Sequence, residues 1–163
     1  MKKRLAVLLL LAAMPWAGLH AQTSASTTFR VTARVNAVCE VTASDLAFGT
    51  YTAQAGTPLQ GTTLLRTTCT PNSTYNIGLN EGTSPGASVN QRKMVSGTTN
   101  VLNYQLYSDA SRSAIWGNTT GTDTVVGTGT GLAQDHTVFG QVPAAQVVPA
   151  GDYQDTITVR IYY

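Results

Sequence analysis

Few residues in this chain are able to do covalent or metal chemistry. Gly82-Thr83-Ser84-Pro85-Gly86 has the spacing of a hydrolase nucleophile elbow, in which a serine on a strand-to-helix turn sits beside an oxyanion hole. Pro85 removes the backbone N–H that would form this hole, and no helical pattern follows, so the segment reads as a turn between strands. His136 is the one histidine beyond the first 21 residues. Asp135, Asp152 and Asp155 are candidates to orient it, but a Ser–His–Asp relay needs a nucleophile in register and none is marked. A single histidine excludes a histidine-rich zinc site, and His136 is expected at the surface or at a strand edge. Asp109, Asp123, Asp135, Asp152 and Asp155 lack the dense alternation of a calcium loop. No glycine loop follows a strand and opens a helix, so no nucleotide cofactor is implied. Asn72-Ser73-Thr74 and Asn118-Thr119-Thr120 match the glycosylation tripeptide, which is common by chance in a threonine-rich chain, and they are assigned no role. Tyr75 and Tyr104 fall in strand pattern and are expected in the core. Trp116 lies in a long polar segment and is the residue most open to a ligand, such as a stacked sugar.

The termini and the cysteines set the compartment. Lys2, Lys3 and Arg4 precede an apolar run over residues 5–13, the layout of a secretory signal. The run is too short to span a bilayer. Cleavage is expected after Ala21; Leu19 is large for its offset, which keeps Ala25 as the second site, and an uncleaved anchor is the other reading. Cleavage after Ala21 removes three of the ten basic residues and none of the eight acidic ones. The exported chain is then slightly acidic, with no electrostatic footprint for nucleic acid. Cys39 and Cys69 are the only cysteines. In an exported chain one disulfide between them is the default, with free thiols or an intermolecular bond as the alternatives. Closing a loop of roughly 30 residues is worth about 3.5 kcal/mol in the chain-entropy model.

The elements around these residues are all strand-like. In residues 27–35, Phe29, Val31, Ala33 and Val35 share one face, while Thr28, Arg30, Thr32 and Arg34 share the other. This alternation predicts a half-buried strand, yet no partner for it is evident, and its place at the start of the exported chain would let it leave its own domain. The same parity runs on through Ala37 to Cys39. Further strands are predicted over 46–51, 64–70, around Tyr75, Ile77 and Leu79, around Leu102, Tyr104 and Leu106, over 138–142, and over 153–163. In the last of these Ile157, Val159, Ile161 and Tyr163 share a face. Residues 108–135 read as a long loop or an irregular hairpin. Turn residues separate short strands throughout, the pattern of a β-sandwich.

The chain resembles the spore coat protein U-like domain of archaic chaperone–usher pilus subunits. The resemblance rests on the alternating strand leading to Cys39, then Leu46-Ala47-Phe48-Gly49-Thr50-Tyr51, Thr68-Cys69-Thr70, Tyr75-Asn76-Ile77-Gly78-Leu79-Asn80-Glu81-Gly82 and Arg92-Lys93-Met94. It continues through Leu102-Asn103-Tyr104-Gln105-Leu106-Tyr107-Ser108-Asp109, Trp116-Gly117, Phe139-Gly140-Gln141-Val142-Pro143, Pro149-Ala150-Gly151-Asp152-Tyr153 and Asp155-Thr156-Ile157-Thr158-Val159. Order and coverage make the match specific. It implies an all-β, incomplete immunoglobulin-like sandwich that lacks its final strand, with a hydrophobic groove beside the C-terminal strand. A periplasmic chaperone would fill that groove first, and at the outer-membrane usher the N-terminal strand of a neighbouring subunit would replace it.

On this reading residues 1–21 are the signal, 22–35 the donor segment, and 36–163 the pilin domain. Phe29, Val31, Ala33 and Val35 would be the donor side chains. Ile157, Val159, Ile161 and Tyr163 would edge the groove. A Cys39–Cys69 bond would fasten the first strand to its neighbour. The function implied is a structural subunit of a surface pilus for adhesion and biofilm formation, neither an enzyme nor a nucleic-acid binder. The alternatives are a secreted sandwich that binds carbohydrate through Trp116, a coat protein, and a hydrolase built on Ser84 or His136.

Overall fold

The computed structural model describes residues 22–53 and 56–163. The signal expected over 1–21 lies outside the described residues. The chain divides between Arg34 and Val35. On the N-terminal side, residues 22–34 form no strand and every one is exposed. Phe29 is 85% exposed and Val31 81%. The period of two is there in sequence, but a strand exists only when its N–H and C=O groups meet a partner, and among the described residues the predicted half-buried strand is unpaired.

From Val35 onward the described residues build eight strands: β1 (Cys39–Ala43), β2 (Leu59–Cys69), β3 (Thr74–Leu79), β4 (Arg92–Ser96), β5 (Asn100–Tyr107), β6 (Val125–Thr128), β7 (Ala133–Val142) and β8 (Val159–Tyr162). All paired strands are antiparallel. One sheet runs β1-β2-β7-β5-β4 and the other β6-β3-β8. Their facing sides enclose Leu65, Tyr75, Ile77, Leu79, Leu102, Tyr104, Leu106, Val138 and Val142. Strict alternation explains why β2 is so long. From Leu59 to Cys69 every second side chain turns inward, and burial deepens to Leu65, Thr67 and Cys69. Cys39 and Cys69 are direct cross-strand partners and form the disulfide.

Several predicted elements differ. Residues 46–51 form no strand, although Leu46, Phe48 and Tyr51 pack against the core. The last strand shrinks from 153–163 to β8, because upstream of Val159 the chain touches neighbouring backbone mainly through the Val95–Gln154 bridge. Residues 108–135 contain β6 and the start of β7. Trp116 is 1% exposed and its indole N–H donates to the Ile77 carbonyl at 2.8 Å, so it is a core residue with no ring face to offer a ligand.

One buried charge ties the two sheets together. Arg92 is fully buried. Its guanidinium donates to the carbonyls of Asn80 (2.9 Å), Leu79 (2.9 Å), Trp116 (2.7 Å) and Val89 (3.3 Å) and to Oε1 of Gln105 (2.6 Å). Burial lowers its pKa. The rigid five-donor fork is what serves acceptors in so many directions. Arg92→Met, leaving these acceptors unpaired, should destabilise the domain by about 3–5 kcal/mol or prevent folding. Arg92→Lys should recover only a minor part of the loss. Urea unfolding of the oxidised chain measures both.

Candidate functional site

β1 and β8 are edge strands of different sheets, each hydrogen-bonded on one side only. The two strands themselves approach each other; the sandwich opens between the segment that follows β1 and the segment that enters β8. A cleft of about 480 Å³ reaches down to Leu65, Leu79, Leu106 and Val138. A second of about 780 Å³ reaches Leu59, Leu102 and Val142. The two share Leu46, Phe48, Met94 and Tyr153 and so form one groove, whose floor is the hydrophobic core itself.

One lip is the segment following β1. It is anchored at its start, where the Ser44 N–H donates to the Leu64 carbonyl at 3.1 Å and the Thr63 hydroxyl to the Ser44 carbonyl at 2.8 Å. It is anchored at its end by the Tyr51 hydroxyl, which donates to the Pro143 carbonyl (3.0 Å) and accepts from the Gln146 N–H (2.8 Å). Between these anchors Leu46 and Phe48 lie over Gly61 and Gly140, which face each other across β2 and β7. A Cβ on Gly140 would stand 2.6 Å from Leu46 Cδ2 and 2.7 Å from Phe48 Cζ. The glycine pair is therefore the seat of this lip.

The other lip is the segment entering β8. Gln154 and Val95 exchange backbone hydrogen bonds of 2.9 and 3.1 Å. The Asp155 carboxylate accepts from the Thr83 N–H (2.8 Å) and the Tyr104 hydroxyl (2.7 Å). Burial first, and then this bond to Asp155, keep the Tyr104 phenol protonated well above its ordinary range. Asn80 Oδ1 accepts from the Thr158 N–H at 2.7 Å. Ile157 and Val159 line the cleft, Ile161 packs against the core, and Tyr163, expected on the same face, is 61% exposed.

The hydrolase candidates are not brought together. The Ser84 hydroxyl donates to the Lys93 carbonyl at 2.6 Å and is almost wholly buried. His136 is half-buried, on the part of β7 that pairs with β2 alone, since β5 meets β7 only over residues 139–141. Its Nε2 sits 3.0 Å from the Thr67 hydroxyl and 3.1 Å from the Tyr75 hydroxyl. The alternation from Val138 back through His136 was the available signal that this side chain points inward.

A family model described as Spore Coat Protein U domain matches residues 25–160. The chain belongs to this family. "Protein U" of Myxococcus xanthus is 39% identical over 128 residues, covering 72% of this chain and 71% of that protein. Among solved structures the chain is similar to the CsuC–CsuE chaperone–tip adhesion subunit pre-assembly complex from archaic chaperone-usher Csu pili of Acinetobacter baumannii. There the identity is 30% and the TM-score 0.54, with 79% of this chain and 40% of the other covered. The chain thus spans less than half the length of that structural relative. The resemblance read from the sequence is correct, and the fold is the all-β, immunoglobulin-like sandwich of pilus subunits.

Two expected outcomes follow from this geometry. Gly140→Val should push Leu46 and Phe48 off their seat and narrow the groove, so that an environment-sensitive apolar dye binds several-fold less while far-UV dichroism still shows a folded sheet. Burial lowers the pKa of His136, with Asp135 opposing, so the unfolded chain takes up protons more readily than the folded one. The part of stability due to this group is full above the unfolded value of about 6.5 and declines as pH falls toward the lower folded value. Urea midpoints should fall between about pH 7.5 and 5.5, and more steeply in the wild type than in His136→Gln.

Proposed function

We propose that the protein is a structural subunit of a chaperone–usher surface pilus, polymerising by donor-strand complementation. The observation that carries this reading is the groove between the segment following β1 and the segment entering β8, whose floor is the apolar core of a folded domain. An extended strand with apolar side chains at every second position is the object that fits such a site. Its backbone pairs with the edges and its side chains fill the clefts. Residues 22–35 supply that object, with Phe29, Val31, Ala33 and Val35 on one face and no strand partner among the described residues. Full burial is worth about 1.5–3 kcal/mol for each of Phe29 and Val31. Residues 36–163 are the receiving domain.

An open groove of this kind aggregates unless it is kept covered. A periplasmic chaperone therefore fills it after export, and an outer-membrane usher hands it to a neighbouring subunit. Similarity to a subunit captured with its chaperone supports this sequence of partners. The secretory signal over 1–21 and the disulfide, which needs an oxidising compartment, support a location at the cell surface. The fibre serves adhesion and biofilm formation.

The test is the oxidised chain of residues 22–163, incubated and run unboiled on a denaturing gel beside a variant beginning at Asn36. A ladder of heat-sensitive oligomers from the longer chain, absent from the shorter, is the expected result. Soluble monomer from both would mean a sandwich that needs no partner strand, and would favour a secreted coat protein instead.

A further inference from the structure

The groove has a charge as well as a shape. Among the described residues, those lining its two clefts include Asp45, Asp152 and Asp155 and no lysine, arginine or histidine. Residues 22–38 have the opposite character: Arg30 and Arg34 are their only charged side chains. Both arginines lie on the face opposite Phe29, Val31, Ala33 and Val35. With that apolar face turned into the groove, they emerge at its mouth about 13 Å apart. Asp155 is already engaged by Thr83 and Tyr104. Asp45, on the lip after β1, and Asp152, on the lip before β8, are exposed. They belong to different clefts of the same groove.

We infer that the occupant of this groove is the N-terminal segment of a second copy of this chain, and that Arg30 and Arg34 against Asp45 and Asp152 set its register. The inference rests on the donor-strand reading and adds the partner and the means of alignment. Apolar parity alone leaves the alignment open. A slip of one residue would drive both guanidinium groups into the apolar floor and is forbidden by desolvation. A slip of two keeps an apolar face inward, because Ala37 continues the parity of Val35. Such a slip moves each arginine by about 7 Å relative to the lips, which separates it from its carboxylate. Charge thus breaks a degeneracy that hydrophobicity cannot. Because both halves of the match lie in one sequence, the chain is suited to follow itself, as a repeating subunit does.

The experiment is the rate of ladder formation by residues 22–163 at about 0.01 M and about 1 M salt, where screening lengths differ roughly tenfold. The wild type should polymerise several-fold faster at low salt. Arg30→Gln with Arg34→Gln should be roughly tenfold slower there and nearly insensitive to salt, as should Asp45→Asn with Asp152→Asn. Combining Arg30→Asp and Arg34→Asp with Asp45→Arg and Asp152→Arg should restore both rate and salt dependence. All four positions are exposed, so folding is not at risk. If the glutamine variant polymerises at the wild-type rate with the wild-type salt dependence while Phe29→Ala does not polymerise, charge does not set the register and the donor-strand reading stands. If the wild type forms no oligomers that depend on residues 22–35, that reading fails and this inference falls with it. A ladder that forms only when a different subunit's strand is supplied would overturn the second-copy assignment alone.

Discussion

The guanidinium of Arg92 holds together what the open side of the sandwich cannot. It takes acceptors from the end of β3 in one sheet, from Gln105 of β5 in the other, and from the connections around Asn80, Val89 and Trp116. None is a carboxylate. A charge buried among neutral oxygens is tolerated because every donor is used and because Asp155, Asp123 and Glu81 favour the charged form from further away. Gln105 is fixed in turn, its amide donating to Val89 and its carbonyl accepting from the Leu106 N–H. The result is a rigid cross-sheet tie made of hydrogen bonds rather than packed hydrocarbon.

Such a tie matters in a sandwich left open on one side. Elsewhere, facing strands shield the core from water. Along the groove Leu46, Phe48, Met94, Tyr153, Ile157 and Val159 are only partly buried, and the apolar burial that would normally dominate folding is incomplete there. Cross-links that do not depend on closing this side carry the difference. The disulfide joins β1, a five-residue edge strand, to the well-embedded β2. The Asp155, Asn80 and Gln154 bonds hold the opposite lip. The domain can therefore be ordered while its groove stays open.

Much of this was legible in the sequence because β2, β3, β5 and β7 carry period-two patterns whose inward residues have no alternative face. Tyr75, Ile77, Leu79 and Tyr104 are buried where alternation puts them. The cysteine pairing followed from there being only two. What escaped was written in polar residues. The Asp109 carboxylate organises residues 109–114 by accepting from the Ser113 and Ala114 N–H groups and from the Ser111 and Ser113 hydroxyls. Asp123 similarly accepts from the Thr119 N–H. Such loops have no periodicity to read, and Trp116, carried between them, looked exposed for that reason. Arg92 showed no sign of its role, since an arginine entering a strand reads as a surface residue until its acceptors are in place. The groove was expected through the resemblance, because a cleft has no periodicity of its own to read.

The same physics bears on how an exposed apolar segment and an open groove coexist in one chain without immediate collapse. A run of alternating Phe, Val and Ala with free backbone edges is aggregation-prone. Here Arg30 and Arg34 interrupt it at every fourth position, and threonine takes the positions between. A guanidinium at the seam of two such segments stacked on each other would meet its like, and like charges facing across a strand pair are unfavourable. The carboxylates on the groove lips offer the same arginines an opposite charge. On the donor-strand proposal, the residues that keep the free segment from pairing with itself are those that would suit it to the groove, and solubility before assembly and selectivity during it would come from one pair of side chains.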